Sequence, residues 1–259
     1  MSRARSKDGT EIAFDRAGSG PPLILVDGAL CSRKFGPMPK LAPLLAPHFS
    51  VYSYDRRGRN ESGDTAPYSV TREVEDLEAL IAEAGGSAFV YGVSSGAALA
   101  LEAAARGVRI RKLVLYEPPL GVDKRQPPID HVAALNQRVA AGRRSDAVKY
   151  FMRDMVGIPA PFVLLMRLMP MWSKLESVAH TLPFDAAIVG DDALLKQRAA
   201  KVKVPTLVMG GLKSPAVLRE AVQAVGDAVP GCERRMLAGQ THNVAPQAIA
   251  PVLVEYFAA

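Results

Sequence analysis

Residues 88–106 read AFVYGVSSGAALALEAAAR, and this stretch decides the fold. Its apolar first part predicts a buried β-strand, and its Ala/Leu-rich part, from Ser95 to Arg106, predicts a helix that ends at Gly107. Between them, Gly92-Val93-Ser94-Ser95-Gly96 fits the pattern Gly-x-Ser-x-Gly. A sharp turn from strand to helix needs small residues beside the serine, because the backbones approach closely there. A chance Gly/Ser loop is the alternative, but both flanks favour the turn.

Other apolar runs place this strand in a larger sheet. They alternate with helical patterns, as strands covered by helices on both faces do, so we predict a mostly parallel, doubly wound sheet of the α/β class. Asp8-Gly9 predicts a hairpin that adds an antiparallel edge. The predicted core strands are Leu23–Val26, Phe49–Tyr54, Ala88–Tyr91, Lys112–Tyr116 and Thr206–Met209.

Capping residues mark the predicted helices. Two late amphipathic helices cover Pro215–Val225, which Gly226 would end, and Pro246–Phe257, each with a proline near its start. An earlier helix ends at Gly85-Gly86. This earlier helix has a single apolar face, formed by Val74, Leu77, Leu80 and Ile81.

Between about residues 119 and 200 the strand pattern stops, and only helices are predicted. Asp130 and Ser145 are the expected N-caps, and Gly142 and Gly157 the expected helix ends. We therefore divide the chain into an α/β core, residues 1–118 and 201–259, and a helical cap, residues 119–200. The Met-rich end of the cap suits apolar ligands, which favours a cap over a binding site; a helical subdomain without a ligand role is the alternative.

Composition excludes several classes of protein. The chain has 259 residues, 49% of them apolar and 22% charged, as in soluble globular proteins and unlike disordered or disulfide-stapled ones. The only cysteines, Cys31 and Cys232, lack metal-like spacing, so we expect a reducing compartment and no metal or cofactor. No secretory signal and no apolar stretch of membrane-spanning length occurs, which favours the cytoplasm.

The net charge of +6 raises the question of nucleic acid as a partner. The basic residues come in small groups among acids, without a basic stripe and interleaved aromatics, so we expect a solvated surface and neither nucleic-acid nor membrane binding. The groups are Arg56, Arg57 and Arg59; Arg109, Arg111 and Lys112; and Arg143 and Arg144.

The turn serine needs a base to become a nucleophile. The register of the motif selects Ser94 over Ser95, and the N-terminus of the following helix favours negative charge beside it. Among the four histidines, His242 lies in a loop before the last helix, which in a parallel sheet reaches the same edge as Ser94. His242 is therefore the predicted general base; a surface loop histidine is the alternative.

A carboxylate should orient that histidine. Proteins with this turn usually have an acid after the strand before the histidine loop, but Lys213 or Ser214 occupies that place here. Glu117 ends the predicted strand next to Ser94, so we predict that it binds His242; a solvated strand-end glutamate is the alternative.

Two backbone N–H groups should stabilise the developing oxyanion. One is that of Ser95, next to the nucleophile. The other should come from the loop Asp27-Gly28-Ala29, where Ala29 is the predicted donor and Gly28 allows the tight backbone. A carboxylate facing an oxyanion would oppose it, so the orientation of Asp27 stays open, as does the role of Cys31.

These motifs together resemble the α/β-hydrolase superfamily, over nearly the whole chain outside the predicted cap. Asp-Gly in place of the usual His-Gly at residues 27–28, the Ser-Ser-Gly elbow and Glu117 also resemble the fungal zearalenone lactonases. That resemblance implies a Ser–His–Glu triad at Ser94, His242 and Glu117. It also implies that Trp172, in Pro170-Met171-Trp172, contacts substrate, although a place in the core of the cap is as good an interpretation. The candidate substrate-binding residues are Gly28, Leu30, Trp172, Met155 and Met166.

The leading functional hypothesis is hydrolysis of a carboxylic ester or lactone of a hydrophobic small molecule through an acyl-serine. Two alternatives stay open, because fold analogy alone does not choose the function. One is a cofactor-free dioxygenase of the same superfamily, and the other a non-catalytic small-molecule sensor. An exposed part of the Met-rich cap would also serve a homodimer.

Overall fold

The computed structural model describes residues 2–119, 129–190 and 192–259. Its described strands form one eight-stranded sheet in the order β1-β2-β4-β3-β5-β6-β7-β8. The pairs β1–β2 and β2–β4 are antiparallel and the others parallel, which confirms the predicted α/β class with an antiparallel edge. The strands are β1 Ser2–Arg5, β2 Glu11–Ala17, β3 Pro22–Val26, β4 Ser50–Tyr54, β5 Ala88–Val93, β6 Ile110–Tyr116, β7 Thr206–Gly211 and β8 Glu233–Leu237.

Helices cover both faces of the sheet and bury two separate apolar cores. The helices are α1 Met38–Leu45, α2 Val70–Glu83, α3 Ser95–Ala105, α4 His131–Ala140, α5 Arg144–Tyr150, α6 Ala160–Arg167, α7 Trp172–Ser177, α8 Leu182–Val189, α9 Asp192–Ala199, α10 Ala216–Ala228 and α11 Pro246–Ala258. Along β3, Ile24 and Val26 belong to the core shared with α2, α3 and α10, while Leu23 and Leu25 belong to the core shared with α1 and α11. Burial on both faces explains why the strands read as continuous apolar runs.

Between β6 and β7 the described residues form helices, α4 to α9, with a π-helical turn at Phe151–Met155 and a 3₁₀ turn at Ala179–Thr181. We call this segment the helical insert. Its buried side chains form a third core, which includes Leu135, Val148 and Leu182 and also takes in Leu30 from the α/β part. Residues 120–128 and 191 of the predicted cap lie outside the described residues.

Two local predictions are wrong, and one strand was not predicted. Gly226 does not end α10, which continues to Ala228; a Cβ there would lie 2.3 Å from the Arg234 side chain, so the glycine makes room for that side chain. Ser145 is not an N-cap, since α5 begins at Arg144 and the Ser145 hydroxyl accepts from Trp172 instead. Strand β8 is missing from the predicted set because it is a half-exposed edge strand with a charged sequence. No described helix is long and apolar enough to cross a bilayer.

Candidate active site

Ser94 lies at a strained turn between β5 and α3. Its φ of 54° and ψ of −127° are unusual for a residue with a side chain, and its N–H donates to the Tyr116 carbonyl at 3.0 Å. Glycines on both sides permit the close packing. A Cβ at Gly92 would lie 2.6 Å from the Gly96 carbonyl oxygen, and one at Gly96 would lie 2.3 Å from that of Val26. The backbone at Ser94 therefore has the geometry that the Gly-x-Ser-x-Gly pattern predicts.

His242 and Glu117 are in direct contact. The Nδ1 atom of His242, in the loop between β8 and α11, lies 2.7 Å from Oε2 of Glu117. Glu117 follows β6, is fully buried, and has a φ of 46°, another sparsely populated backbone conformation for a non-glycine residue. The Tyr116 hydroxyl donates to the Thr241 carbonyl at 2.6 Å and so fixes the histidine loop on β6. The predicted partners, 125 residues apart in sequence, are thus brought together.

The second oxygen of Glu117 is held from β7 and the loop that follows. Oε1 accepts the Gly211 N–H at 2.8 Å and the hydroxyl of buried Ser214. Burial raises the pKa of Glu117, but the hydrogen bonds from His242, Ser214 and Gly211 lower it more, so the net pKa lies below its usual value. Glu117 is therefore ionised at neutral pH and can orient an imidazole. Ser214 occupies the place where an acid was expected, and its hydroxyl donates to Glu117, the carboxylate that contacts His242 instead.

The loop after β3 runs beside Ser94. A methyl group at Gly28 would lie 3.2 Å from Ser94 Cβ, so a larger residue there would crowd the serine. The Asp27 carboxylate binds within its own loop: its Oδ1 accepts the Gly28 N–H at 2.8 Å. Burial raises the pKa of Asp27 to about 7, although the Gly28 N–H and Arg59 counteract it. With Gly28 N–H engaged, the next N–H along the loop is that of Ala29, the predicted donor.

A group of buried charges lies behind this loop. Arg56, Arg57 and Arg59 are each at most 1% exposed, so the prediction of a solvated basic surface is wrong for them. Each pairs with buried carboxylates, as buried guanidinium groups must. Arg56 pairs with Glu73 and with Asp185 of α8, and Arg59 also pairs with Asp185. Asp185 accepts in addition from the Ser95 hydroxyl at 2.7 Å.

The sequence does not reveal this cluster. Arg59 and Asp185 are 126 residues apart, and charged side chains usually indicate surface. The sequence feature that comes nearest to revealing it is the run Arg56-Arg57-Gly58-Arg59 directly after a buried strand. Because no carboxylate partner can be identified from the sequence, this run is typical of solvated charge.

The predicted substrate-binding residues of the insert lie in or against its core. The Trp172 side chain is buried, and its indole N–H donates to Ser145 Oγ at 3.0 Å and to Glu176 Oε1 at 2.8 Å. Met155 and Met166 are partly buried against the same core. Leu30, with a φ of 61°, is the member of this core that belongs to the loop after β3. The insert therefore packs directly on that loop.

The described residues show no cluster of three or more histidine, cysteine or carboxylate side chains suited to a metal ion. What they do place along one edge of the sheet is a turn serine, a histidine–carboxylate pair and the loop after β3. The strands β5, β6, β7 and β8 are neighbours in this order and parallel, so the segments that follow them meet at the same edge.

Comparison with known proteins identifies the family to which the chain belongs. The sequence model of the alpha/beta hydrolase family matches residues 17–252, so the chain belongs to the α/β hydrolase family. It is similar to an α/β hydrolase from Sphaerobacter thermophilus DSM 20745, with 52% identity and a TM-score of 0.90 over 99% of this chain and 100% of that one. Family membership supports hydrolase activity in general.

More distant structures share the fold. An esterase from Exiguobacterium antarcticum is 22% identical, with a TM-score of 0.75 over 100% of this chain and 99% of that one. The enol-lactonase from Burkholderia xenovorans LB400 is 20% identical, with a TM-score of 0.71 over the full length of both chains. At these identities the likeness concerns the fold alone.

Proposed function

We propose that this protein hydrolyses a carboxylic ester or lactone of a hydrophobic small molecule through an acyl-serine intermediate on Ser94. The observation that carries the proposal is the contact of His242 Nδ1 with the ionised, buried Glu117. This contact keeps the proton on Nδ1 and leaves Nε2 free to accept a proton, which is what a general base for a serine needs. Ser94, at the strained turn on the neighbouring strand, is the hydroxyl group that this base would serve.

The reaction has two halves. His242 takes the Ser94 proton as Oγ attacks the carbonyl carbon, and the N–H groups of Ala29 and Ser95 bind the oxyanion. Collapse of the tetrahedral intermediate expels the alcohol, protonated by His242, and leaves the acyl group on Ser94. A water molecule, deprotonated by His242, then attacks the acyl carbonyl and releases the carboxylic acid with Ser94 restored. In a lactone, the alcohol and the acid remain one molecule.

The apolar character of the insert supports a hydrophobic substrate. Leu30 links the loop beside Ser94 to the core of the insert, and Met155 and Met166 lie against that core. Methionine side chains adapt to apolar ligands of irregular shape. The names of two neighbours of the same fold, an esterase and an enol-lactonase, are consistent with ester and lactone substrates.

An organophosphonate label tests the nucleophile. We expect one phosphonylated peptide, containing Ser94, by mass spectrometry, and no labelling of Ser94→Ala. A panel of aryl esters and lactones then tests turnover, with Ser94→Ala and His242→Gln expected to lose more than about 10³-fold in kcat. His48→Gln is the matched control, because His48 is an exposed histidine in the loop between α1 and β4. Unlabelled Ser94, undiminished hydrolysis by Ser94→Ala, or substrate-dependent oxygen uptake instead of hydrolysis would contradict the proposal.

A further inference from the structure

Two arginines hold two consecutive carbonyl groups of the loop beside Ser94. Arg56 Nη1 donates to the Asp27 carbonyl at 3.3 Å, and Arg59 Nη1 donates to the Gly28 carbonyl at 2.6 Å. Arg59 Nη1 also reaches the Cys31 carbonyl at 3.1 Å. A guanidinium group offers several N–H donors in a fixed plane, so these contacts fix the orientation of the loop carbonyls and not just their position.

Because the peptide bond is planar, the orientation of a carbonyl group also fixes the orientation of the next N–H group. In a trans peptide, the carbonyl of one residue and the N–H of the next point in opposite directions. When Arg59 binds the Gly28 carbonyl, the Ala29 N–H must therefore point away from Arg59. The preceding N–H, that of Gly28, already donates to Asp27 Oδ1. Arg59 thus determines where the Ala29 N–H, one of the two predicted oxyanion donors, points.

Asp185 holds both arginines and also reaches the second donor. Its Oδ1 accepts from Arg56 Nη1 at 2.7 Å, and both its oxygens accept from Arg59 Nη2, at 2.9 and 2.8 Å. The same Oδ1 accepts from the hydroxyl of Ser95, whose N–H is the other predicted oxyanion donor. Asp185, on α8 of the helical insert, is thus linked to the Ala29 peptide through Arg59 and to Ser95 through the Ser95 hydroxyl.

Asp185 is suited to this task because it stays charged although buried. Burial raises its pKa, but Arg59, Arg56 and the Ser95 hydroxyl lower it more, so the net pKa lies below the usual value. Arg56 has Glu73 as a second carboxylate, whereas Asp185 is the carboxylate that the structure gives Arg59. Removing Asp185 would therefore release Arg59 from its position sooner than Arg56.

The geometry points to Arg59 and Asp185 as positioning residues that orient the Ala29 and Ser95 N–H groups, so that the helical insert is required for the oxyanion site. This inference rests on the proposed function, because an oxyanion arises only if Ser94 attacks a carbonyl. Neither residue is a catalytic residue here, since each acts through backbone groups or through the Ser95 side chain.

Arg59→Lys and its matched control Arg57→Lys test the inference. Arg57 is as deeply buried and pairs with two carboxylates, Asp8 and Asp76, but none of its described hydrogen bonds goes to the loop after β3. A lysine at 59 keeps the positive charge but lacks the fork that binds Asp185 and the Gly28 carbonyl together. We expect kcat to fall about 10- to 100-fold with KM within about threefold, because a misdirected donor loses much of its effect. Arg57→Lys should lower the thermal midpoint without changing kcat.

A transition-state analogue separates orientation from general loosening of the fold. An aryl trifluoromethyl ketone forms a tetrahedral adduct whose oxyanion needs both donors, so its inhibition constant should rise as much as kcat falls. The product carboxylate should bind Arg59→Lys and the unchanged protein alike. Asp185→Asn should give the same pattern. Equal effects of Arg59→Lys and Arg57→Lys on kcat, or an unchanged inhibition constant in Arg59→Lys, would overturn the inference.

The Ser95→Ala variant and the activity of the unchanged protein give two further results. If the Arg59 and Asp185 variants do not fold, Ser95→Ala decides. It keeps the arginine–carboxylate pairs and removes the hydroxyl, which donates to Asp185 and accepts from Arg56 Nη1 at 3.2 Å. We expect its kcat to fall by about 3- to 10-fold at unchanged KM, in line with the loss of the hydroxyl's two hydrogen bonds. An unchanged kcat overturns the inference. Failure of the proposed function looks different: the unchanged protein would then hydrolyse no ester or lactone, and Ser94 would resist the organophosphonate.

Discussion

Replacing Glu117 by glutamine tests the histidine–carboxylate pair at nearly constant shape. The amide that replaces the carboxylate has one acceptor and one donor group in place of two acceptors. Oε1 of Glu117 receives two hydrogen bonds, from the Gly211 N–H and the Ser214 hydroxyl, and Oε2 receives one, from His242. The glutamine oxygen will therefore take the Gly211 and Ser214 side, and its NH₂ group will face His242.

The consequence is a histidine in the wrong tautomer. An NH₂ group facing Nδ1 requires an unprotonated Nδ1, which moves the proton to Nε2, where it blocks acceptance of the Ser94 proton. A wrong tautomer of this kind costs about 10⁴ in kcat, or roughly 5.5 kcal/mol. The opposite orientation of the amide restores the tautomer. It leaves the Gly211 N–H facing another donor, at a cost of about 1–3 kcal/mol, and a neutral amide stabilises the imidazolium less than a carboxylate does.

Together these two states predict a loss of kcat between about 10² and 10⁴ for Glu117→Gln. The assay is turnover of the best ester or lactone from the panel, with thermal unfolding measured in parallel to show that the fold is kept. Ser214→Ala is the matched control. It removes one hydrogen bond to Oε1 but leaves the carboxylate on His242, so its kcat should fall less than about tenfold. A Glu117→Gln protein within tenfold of the unchanged one would refute the role assigned to Glu117.

Three other substitutions test separate parts of the structure. Burial raises the folded-state pKa of Asp27 from 3.8 to about 7, so the unchanged protein loses stability as pH rises through this window. Asp27→Asn should escape this loss, so its stability in urea unfolding relative to the unchanged protein should grow by about 3 kcal/mol from pH 4.5 to 7.5; a constant difference would count against the shift. Gly96→Ala places its Cβ 2.3 Å from a backbone oxygen and should cost more than about 3 kcal/mol, whereas Gly85→Ala, which meets nothing within 4 Å, should cost about 1 kcal/mol from its positive φ alone. Trp172→Phe removes the buried indole donor and should lower stability by about 1–2 kcal/mol with KM within about threefold; a tenfold rise in KM would place the indole against the substrate instead.

The sheet and the turn at Ser94 could be predicted from the sequence because both depend on local patterns. Strands buried on both faces must be apolar throughout, and the turn tolerates only small residues beside the serine. Edge strand β8 does not obey this rule, since its five residues, Glu-Arg-Arg-Met-Leu, are all exposed or only partly buried and three of them are charged.

The contact between Glu117 and His242 was within reach of sequence reasoning, since one residue follows a strand next to Ser94 and the other lies in a loop at the same edge. Their catalytic role stays a prediction until it is tested. The cluster of Arg56, Arg59 and Asp185 was out of reach for a physical reason. A buried ion pair leaves no periodic trace in the sequence, and each partner taken alone is typical of a solvated surface.

The acid's place after β6 follows from the register of two parallel strands. Tyr116, the last residue of β6, pairs with Met209, two residues before β7 ends at Gly211, so Glu117 lies beside the end of β7 and close to the histidine loop. The positive φ of Glu117 and its long side chain bring the carboxylate over to β7. Gly210 leaves room for it, since a Cβ there would lie 3.3 Å from Oε1, and Gly211 and Ser214 supply the hydrogen bonds. The carboxylate thus keeps its place beside His242, while the backbone position that supplies it moves by one strand.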